Sequence, residues 1–111
     1  MVTSKKVGGV TVVELAGELT ALTAGDAQEQ VLRLAEPRGR MILDMSRVSF
    51  MSSAGLRLLL KLHRTINGQG GKLVLVGLSE DLRDTMSLTG FLDLMEHRDT
   101  LEAGFTELAS E

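Results

Sequence analysis

Residues 40–60 of the chain read Arg-Met-Ile-Leu-Asp-Met-Ser-Arg-Val-Ser-Phe-Met-Ser-Ser-Ala-Gly-Leu-Arg-Leu-Leu-Leu, and they contain the clearest indication of the fold class. Met41-Ile42-Leu43 is a short, continuous apolar run that ends at Asp44, as expected for a strand covered on both faces. The segment from Ser53 to Asn67 has helical periodicity, and glycines from Gly68 onward stop it. A buried strand joined to a helix by a short loop is typical of an α/β domain.

The sequence on either side repeats this alternation. Gly8-Gly9 predicts a hairpin turn between two strands, and Pro37 ends a helical pattern. In order, the predicted elements are a strand before Gly8, a strand over 10–15, a helix over 23–36 with Thr23 as its N-cap, a strand over 41–43, a helix over 53–67, a strand over 72–78, a helix from Ser79 to Met86, a short strand within 91–98 and a helix over 100–109. This order predicts an α/β domain in which helices pack on one sheet.

The amino-acid composition argues against several classes of function. The 111 residues fit one domain, residues 1–111, and the formal net charge of −3 has the wrong sign for a protein that binds nucleic acid directly. Aromatic residues make up only 3% of the chain, which argues against a base-stacking surface. The absence of cysteine excludes disulfides and thiolate metal sites. With no leader and no apolar run near the roughly 20 residues that span a bilayer, we expect a cytoplasmic protein without membrane insertion.

The helix over 53–67 is unusually apolar. Projected at about 100° per residue, its leucines and Ile66 cover an arc of roughly 200°, wider than the stripe a surface helix typically buries. One sheet covers only part of such an arc, so we expect Leu58 and Leu60 at its edges to be exposed and available to a partner. The alternative is that a neighbouring helix covers them.

Ser53 stands where this helix is predicted to begin. A hydroxyl there can accept a hydrogen bond from a free backbone N–H, so a plain N-cap explains it locally. Leu56 occupies the place of a capping-box glutamate, and Gly55 is expected to weaken the first turn by about 0.5–1 kcal/mol while leaving the hydroxyl uncrowded. A phosphate here would carry about −1.5 to −2 charge at the positive end of the helix. The fold would tolerate that phosphate, whereas a partner surface at the same place would be lost.

The residues from Asp44 to Leu56 resemble the signature of STAS domains, in particular of bacterial anti-sigma factor antagonists. Three flanking elements resemble the same family: Gly17-Glu18-Leu19 followed by Thr23-Ala24, Gly70-Gly71-Lys72-Leu73-Val74-Leu75-Val76, and Leu88-Thr89-Gly90-Phe91. The resemblance keeps its order over nearly the whole chain. It implies the STAS fold, an α/β domain with a mixed four- to five-stranded β-sheet and about four helices packed on it.

The resemblance also implies partner switching rather than catalysis. Members of this group bind a serine/threonine kinase anti-sigma factor while unphosphorylated; that kinase then phosphorylates a serine at the start of the second helix, and a PP2C-like phosphatase reverses the step. By position, the phosphoacceptor is Ser53, with Ser52 as a less favoured second acceptor. The implied partner-binding residues are Thr20, Ala21, Leu22, Met51, Ser52, Ser53, Ala54, Gly55, Arg57 and Leu60. No cofactor is implied.

Two positions depart from the family pattern. Ser52 stands where the sporulation and stress-response members often carry Asp, which makes it a second candidate acceptor. Thr20 replaces a frequent acidic residue after Gly-Glu-Leu and so removes a polar contact to the kinase. Both departures bear on the choice of partner rather than on the fold.

Other functional classes stay open at this point. A constitutive STAS interaction subunit of a transport or signalling complex would need no phosphorylation, and an exposed apolar edge would also suit a homodimer. For a small enzyme or a metal site the sequence offers little. His63 falls within the apolar arc of its helix and about 15 Å along it from Ser53, too far for a nucleophile–base pair, and His97 has no converging ligands.

Overall fold

The computed structural model describes residues 1–109, which form five strands and five helices. The strands are β1 (Val2–Val7), β2 (Val10–Leu19), β3 (Arg40–Met51), β4 (Lys72–Val76) and β5 (Glu96–Arg98). The helices are α1 (Ala24–Leu34), α2 (Ser53–Gly68), α3 (Glu80–Leu88), α4 (Phe91–Leu94) and α5 (Leu101–Ala109). The α/β architecture predicted from the sequence is confirmed.

The five strands form one mixed sheet in the order β1-β2-β3-β4-β5. β1 and β2 are antiparallel, and the turn between them uses Gly8 and Gly9 with φ of 56° and 82°. A two-residue hairpin of this kind needs positive φ at both positions, which glycine adopts without a steric cost. From β2 to β5 all neighbours are parallel. Parallel strands require crossover connections, and the helices between them supply those connections.

Helices cover both faces of the sheet. α1, α2 and α3 pack on the face that carries Leu43 and Leu75, and the core between them includes Val31 and Leu59. α5 packs on the opposite face, where Leu108 meets a smaller cluster that contains Ile42 and Val74. Because β3 and β4 are covered on both faces, their central residues form continuous apolar runs, as the sequence indicated.

Two strands are longer than their apolar runs predicted. β3 continues beyond Asp44 to Met51, and β2 continues beyond Leu15 to Leu19, where the two strands pair with register shifts. Only some residues in this extension of β3 are buried, among them Met45, Val48 and Met51. The expectation of a short loop before α2 was therefore wrong, because an apolar run marks only the part of a strand that is covered on both faces.

Smaller differences occur at α1 and α4. The strand predicted within 91–98 is confined to β5, since Phe91–Leu94 form the single-turn helix α4. α1 ends at Leu34, before the predicted end. Ser79 caps α3 as predicted, accepting a hydrogen bond from the Leu82 backbone N–H at 3.2 Å. No helix within residues 1–109 is long and apolar enough to cross a membrane.

Candidate functional site

The start of α2 lies beside the end of β2. Ser52, not Ser53, is the N-cap: its Oγ accepts a hydrogen bond from the Ala54 backbone N–H at 3.2 Å. The Ser52 backbone N–H donates to the carbonyl oxygen of Leu19 at 2.9 Å, and the Leu56 N–H donates to the Ser52 carbonyl at 3.1 Å. The placement of Ser53 at the cap is thus corrected by one residue. Ser52 is half-buried, with its hydroxyl engaged in holding the helix start.

Ser53 is the first residue of α2 and is exposed. Within residues 1–109, no group makes a hydrogen bond with its hydroxyl. The first turn of α2 contains no acidic residue, so nothing in that turn repels a negative charge from the helix N-terminus. Ser52 therefore caps the helix, whereas the adjacent Ser53 faces solvent.

Gly55 fixes how closely α2 approaches the sheet. A Cβ built on this residue would lie 2.4 Å from Met51 Cγ, 2.9 Å from the Leu19 carbonyl oxygen and 3.0 Å from Leu19 Cβ. Both Gly55 and Met51 are buried, which corrects the expectation that they contact a partner directly. Gly55 is enclosed by these neighbours. Its missing side chain lets the helix start sit against β2 and β3.

The loop between β2 and α1 lies at the same end of the sheet, since the bond from Ser52 to Leu19 joins the two segments. The Thr20 hydroxyl accepts from the Leu22 backbone N–H at 3.2 Å. Thr23 contributes no side-chain cap to α1; its hydroxyl instead donates to the Glu18 carbonyl at 2.7 Å and accepts from the Thr20 N–H at 2.9 Å. These bonds hold the loop in a shape that leaves the Leu22 side chain 94% exposed.

The outer side of α2 presents part of the predicted docking surface. Leu58 is 2% exposed, so the expectation that it is available to a partner was wrong: the helices that cover the same face of the sheet enclose it. Leu60 is half-buried and Arg57 is exposed. A shallow depression of about 390 Å³ lies on this side of α2. Its lining residues are Arg57, Leu60, Lys61, Arg64 and Thr65.

Ten partner-binding residues were predicted from the sequence. Five of them are exposed or line this depression, and three more are half-buried near the helix start. The first group is Ala21, Leu22, Ser53, Arg57 and Leu60; the second is Thr20, Ser52 and Ala54. Met51 and Gly55 lie beneath them. For the eight residues that are not buried, binding to a partner stays a prediction.

The sequence reasoning missed Phe50. This aromatic side chain is 51% exposed in β3, where Phe50 pairs with Glu18 three residues before Ser53. An aromatic residue in a strand is normally assigned to the core, and register shifts between β2 and β3 make simple alternation unreliable at this point. Like Leu22, Phe50 is a large apolar side chain left in contact with water, a feature that marks contact surfaces.

The two histidines do not form a second site. His63 is half-buried and lies within 3.2–3.3 Å of the Asn67 side-chain amide, and His97 is half-buried in β5. No group of three or more metal-ligating side chains comes together in the described part of the chain.

The family model described as STAS domain matches residues 1–104. The anti-sigma-B factor antagonist of Bacillus subtilis is 32% identical over 92 residues, which cover 83% of this chain and 84% of that protein.

Two solved structures share the fold. A crystal structure of an anti-sigma factor antagonist from Mycobacterium paratuberculosis superposes with a TM-score of 0.86 at 23% identity, over 96% of this chain and 92% of that one. The anti-sigma factor antagonist SpoIIAA in its unphosphorylated form superposes with a TM-score of 0.78 at 22% identity, over 100% of this chain and 98% of that one.

Proposed function

The chain belongs to the STAS domain family, and we propose that it is an anti-sigma factor antagonist that acts by partner switching. In its unphosphorylated form it binds a serine/threonine kinase anti-sigma factor and so frees that kinase's other target. Phosphorylation at Ser53 releases the kinase, and a PP2C-like phosphatase restores the binding form. The protein itself is the regulated binding partner in this scheme, and the kinase and phosphatase carry out the chemistry.

The observation that supports this proposal is that Ser52 and Ser53 differ in burial and in hydrogen bonding. Ser52 is half-buried and its Oγ caps α2, so modification there would remove a hydrogen bond that the helix uses. Ser53 is exposed and its hydroxyl has no partner among residues 1–109. A kinase can therefore reach the Ser53 Oγ without first breaking the helix cap. This favours Ser53 over Ser52 as the acceptor.

The reaction at Ser53 is a phosphoryl transfer. The Ser53 Oγ attacks the γ-phosphorus of ATP, the bond from that phosphorus to the β,γ-bridging oxygen breaks, ADP leaves, and the hydroxyl proton passes to a base of the kinase. The phosphatase step adds water across the resulting ester and returns the serine and inorganic phosphate. Neither step needs a catalytic group from this chain.

The consequences of the phosphate differ for the fold and for the interface. At the N-terminus of α2 the phosphate faces the positive end of the helix and meets no acidic residue in the first turn, so we expect the fold to persist. A partner seated over Ser53 would instead have to desolvate and accommodate about −1.5 to −2 charge. The switch then needs no conformational change in this protein.

Phosphate mapping tests the proposal. Serine/threonine kinase anti-sigma factors from the source organism are purified one at a time and incubated with ATP and the full chain, and the products are mapped by mass spectrometry. We expect one phosphate on wild type and on Ser52→Ala, and none on Ser53→Ala. Circular dichroism of each variant shows whether the fold is retained.

Two results would contradict the proposal. If none of these kinases places phosphate on either serine, the proposed switching function is wrong. Tight binding of a partner that is unchanged in Ser53→Glu would identify a constitutive interaction subunit of a transport or signalling complex instead.

A further inference from the structure

The solvent-facing side of α2 carries a line of cations that the proposed function does not yet use. Arg57, Lys61 and Arg64 are all exposed, and α2 contains no acidic residue. At about 100° per residue these three positions fall within an arc of roughly 60°, and Ser53 falls beside them on the same side of the helix. We call Arg57, Lys61 and Arg64 the basic stripe. It extends about 16 Å along the helix from Ser53.

The basic stripe lacks counter-charges. None of its three side chains forms an ion pair or hydrogen bond with any residue from 1 to 109, in contrast to Lys6 and Arg33, which pair with glutamates. Lys5, Arg38 and Arg47 are also exposed without such a partner, but they do not share one face of a helix. Like charges one turn apart slightly destabilise a helix, so the arrangement does not serve stability. The whole chain has a formal charge of −3, and the stripe is thus a local positive patch on an acidic protein.

We propose that the basic stripe binds a complementary acidic surface of the kinase, with an apolar kinase side chain seated on Leu60. This inference rests on the proposed function and specifies the chemistry of its partner. Leu60 is half-buried in the shallow depression that the stripe residues line, so charged and apolar contacts lie side by side there. Such a combination gives an interface an apolar centre and a charged rim.

Two other classes of acidic partner fit this surface less well. A basic amphipathic helix binds membranes by inserting its apolar face, but the apolar face of α2, including Leu59 and Leu62, is buried in the protein core. Duplex nucleic acid is bound through many phosphate contacts, and three cations on a protein of net negative charge supply few of them. A protein surface can match three charges and one apolar contact in the same small area.

The basic stripe gives phosphorylation at Ser53 an electrostatic role. The phosphate would lie about one helical turn from Arg57, and its charge of about −1.5 to −2 would offset a large part of the formal +3 of the stripe. The electrostatic attraction between the basic stripe and the kinase would weaken, and the phosphate would also disrupt the contact of the kinase at Ser53. Released protein would then be slow to rebind the same kinase.

Binding kinetics provide the test. The probe is the kinase that phosphorylates this chain in the mapping experiment, held in its nucleotide-free form. Its association is measured by surface plasmon resonance with wild type and with a triple variant, Arg57→Gln, Lys61→Gln and Arg64→Gln. The measurements are made at about 0.1 M KCl and at about 0.5 M KCl, and the higher concentration screens exposed charges strongly.

A matched control removes three cations elsewhere. This second triple variant, Lys5→Gln, Lys6→Gln and Arg33→Gln, has the same net charge as the first. We expect association to slow about tenfold in the stripe variant at low salt, to change less than about twofold in the control, and to converge for all three proteins at high salt.

The outcomes separate the two levels of the argument. If a kinase binds and phosphorylates Ser53 but the stripe variant matches the control, the inference is wrong and the proposed function stands. If no kinase binds, both are wrong. If wild type is retained by anionic vesicles or by duplex DNA at least as well as by the kinase, and the stripe variant is not, the stripe serves that surface and the inference is overturned.

Discussion

Gly55→Ala should destabilise the protein even though it places a better helix former in the first turn of α2. In an unconstrained helix, glycine is about 1 kcal/mol less favourable than alanine, so the substitution alone would be stabilising. Here the added Cβ would lie 2.9 Å from the Leu19 carbonyl oxygen and 2.4 Å from Met51 Cγ. The packing cost and the helix propensity therefore act in opposite directions.

The packing cost is the larger of the two. Overpacking a core by one methyl group costs about 1–3 kcal/mol, with the upper part of that range where the neighbouring atoms cannot move. Met51 is buried but flexible, whereas the Leu19 carbonyl is backbone and accepts the hydrogen bond from Ser52 that anchors the helix start. Subtracting the propensity gain leaves a net loss of about 1–2 kcal/mol. For a domain of this size that lowers Tm by roughly 4–8 °C.

Urea and thermal unfolding measure this difference. The matched control is Gly25→Ala, because Gly25 also lies in the first turn of a helix and a Cβ there meets no atom within 4 Å. We expect Gly25→Ala to be neutral or to gain up to about 1 kcal/mol. If Gly55→Ala is as stable as wild type, α2 does not need this close approach, and the account of how Ser53 is positioned fails.

Three more predictions concern the surface of the site. Ser52→Ala should lose about 1 kcal/mol of stability in urea unfolding, whereas Ser53→Ala should stay within about 0.5 kcal/mol of wild type; equal losses would contradict the assignment of the cap. Ser53→Asp should keep its circular dichroism spectrum and Tm but bind the kinase at least tenfold more weakly by titration calorimetry, with unchanged affinity counting against phosphate gating. Leu22→Ser and Phe50→Ser should each weaken kinase binding about tenfold without loss of stability, while Leu88→Ser on α3, where the leucine is nearly as exposed as Leu22, should not; similar affinities for all three variants would place the interface elsewhere.

Most of the architecture was accessible from the sequence because local signals agreed with one another. Apolar runs such as Met41-Ile42-Leu43 marked strands covered on both faces, and Gly8-Gly9 marked the hairpin. The order of strands and helices then fixed an α/β domain. The end of β3 was not accessible, because its polar residues resemble a loop until their pairing with β2 is known.

Within the site, the sequence by itself determined the neighbourhood: a serine pair at the start of a strongly apolar helix. It could not decide which serine caps α2, since both carry the same hydroxyl and the choice depends on one backbone bond from Ser52 to Leu19, a residue 33 positions away along the chain. Nor could it show that Gly55 is buried, because the atoms that enclose this residue come from Leu19 in β2 and Met51 in β3.

Exposure was likewise decided by tertiary structure. Leu58 and Leu60 are chemically identical and lie on the same helix, yet Leu58 is enclosed and Leu60 is half-buried beside the basic stripe. The sequence determines which residues are able to form a core or a charged face. Only the packing of the other elements around α2 decides which of them remain in contact with water, and hence which a partner can reach.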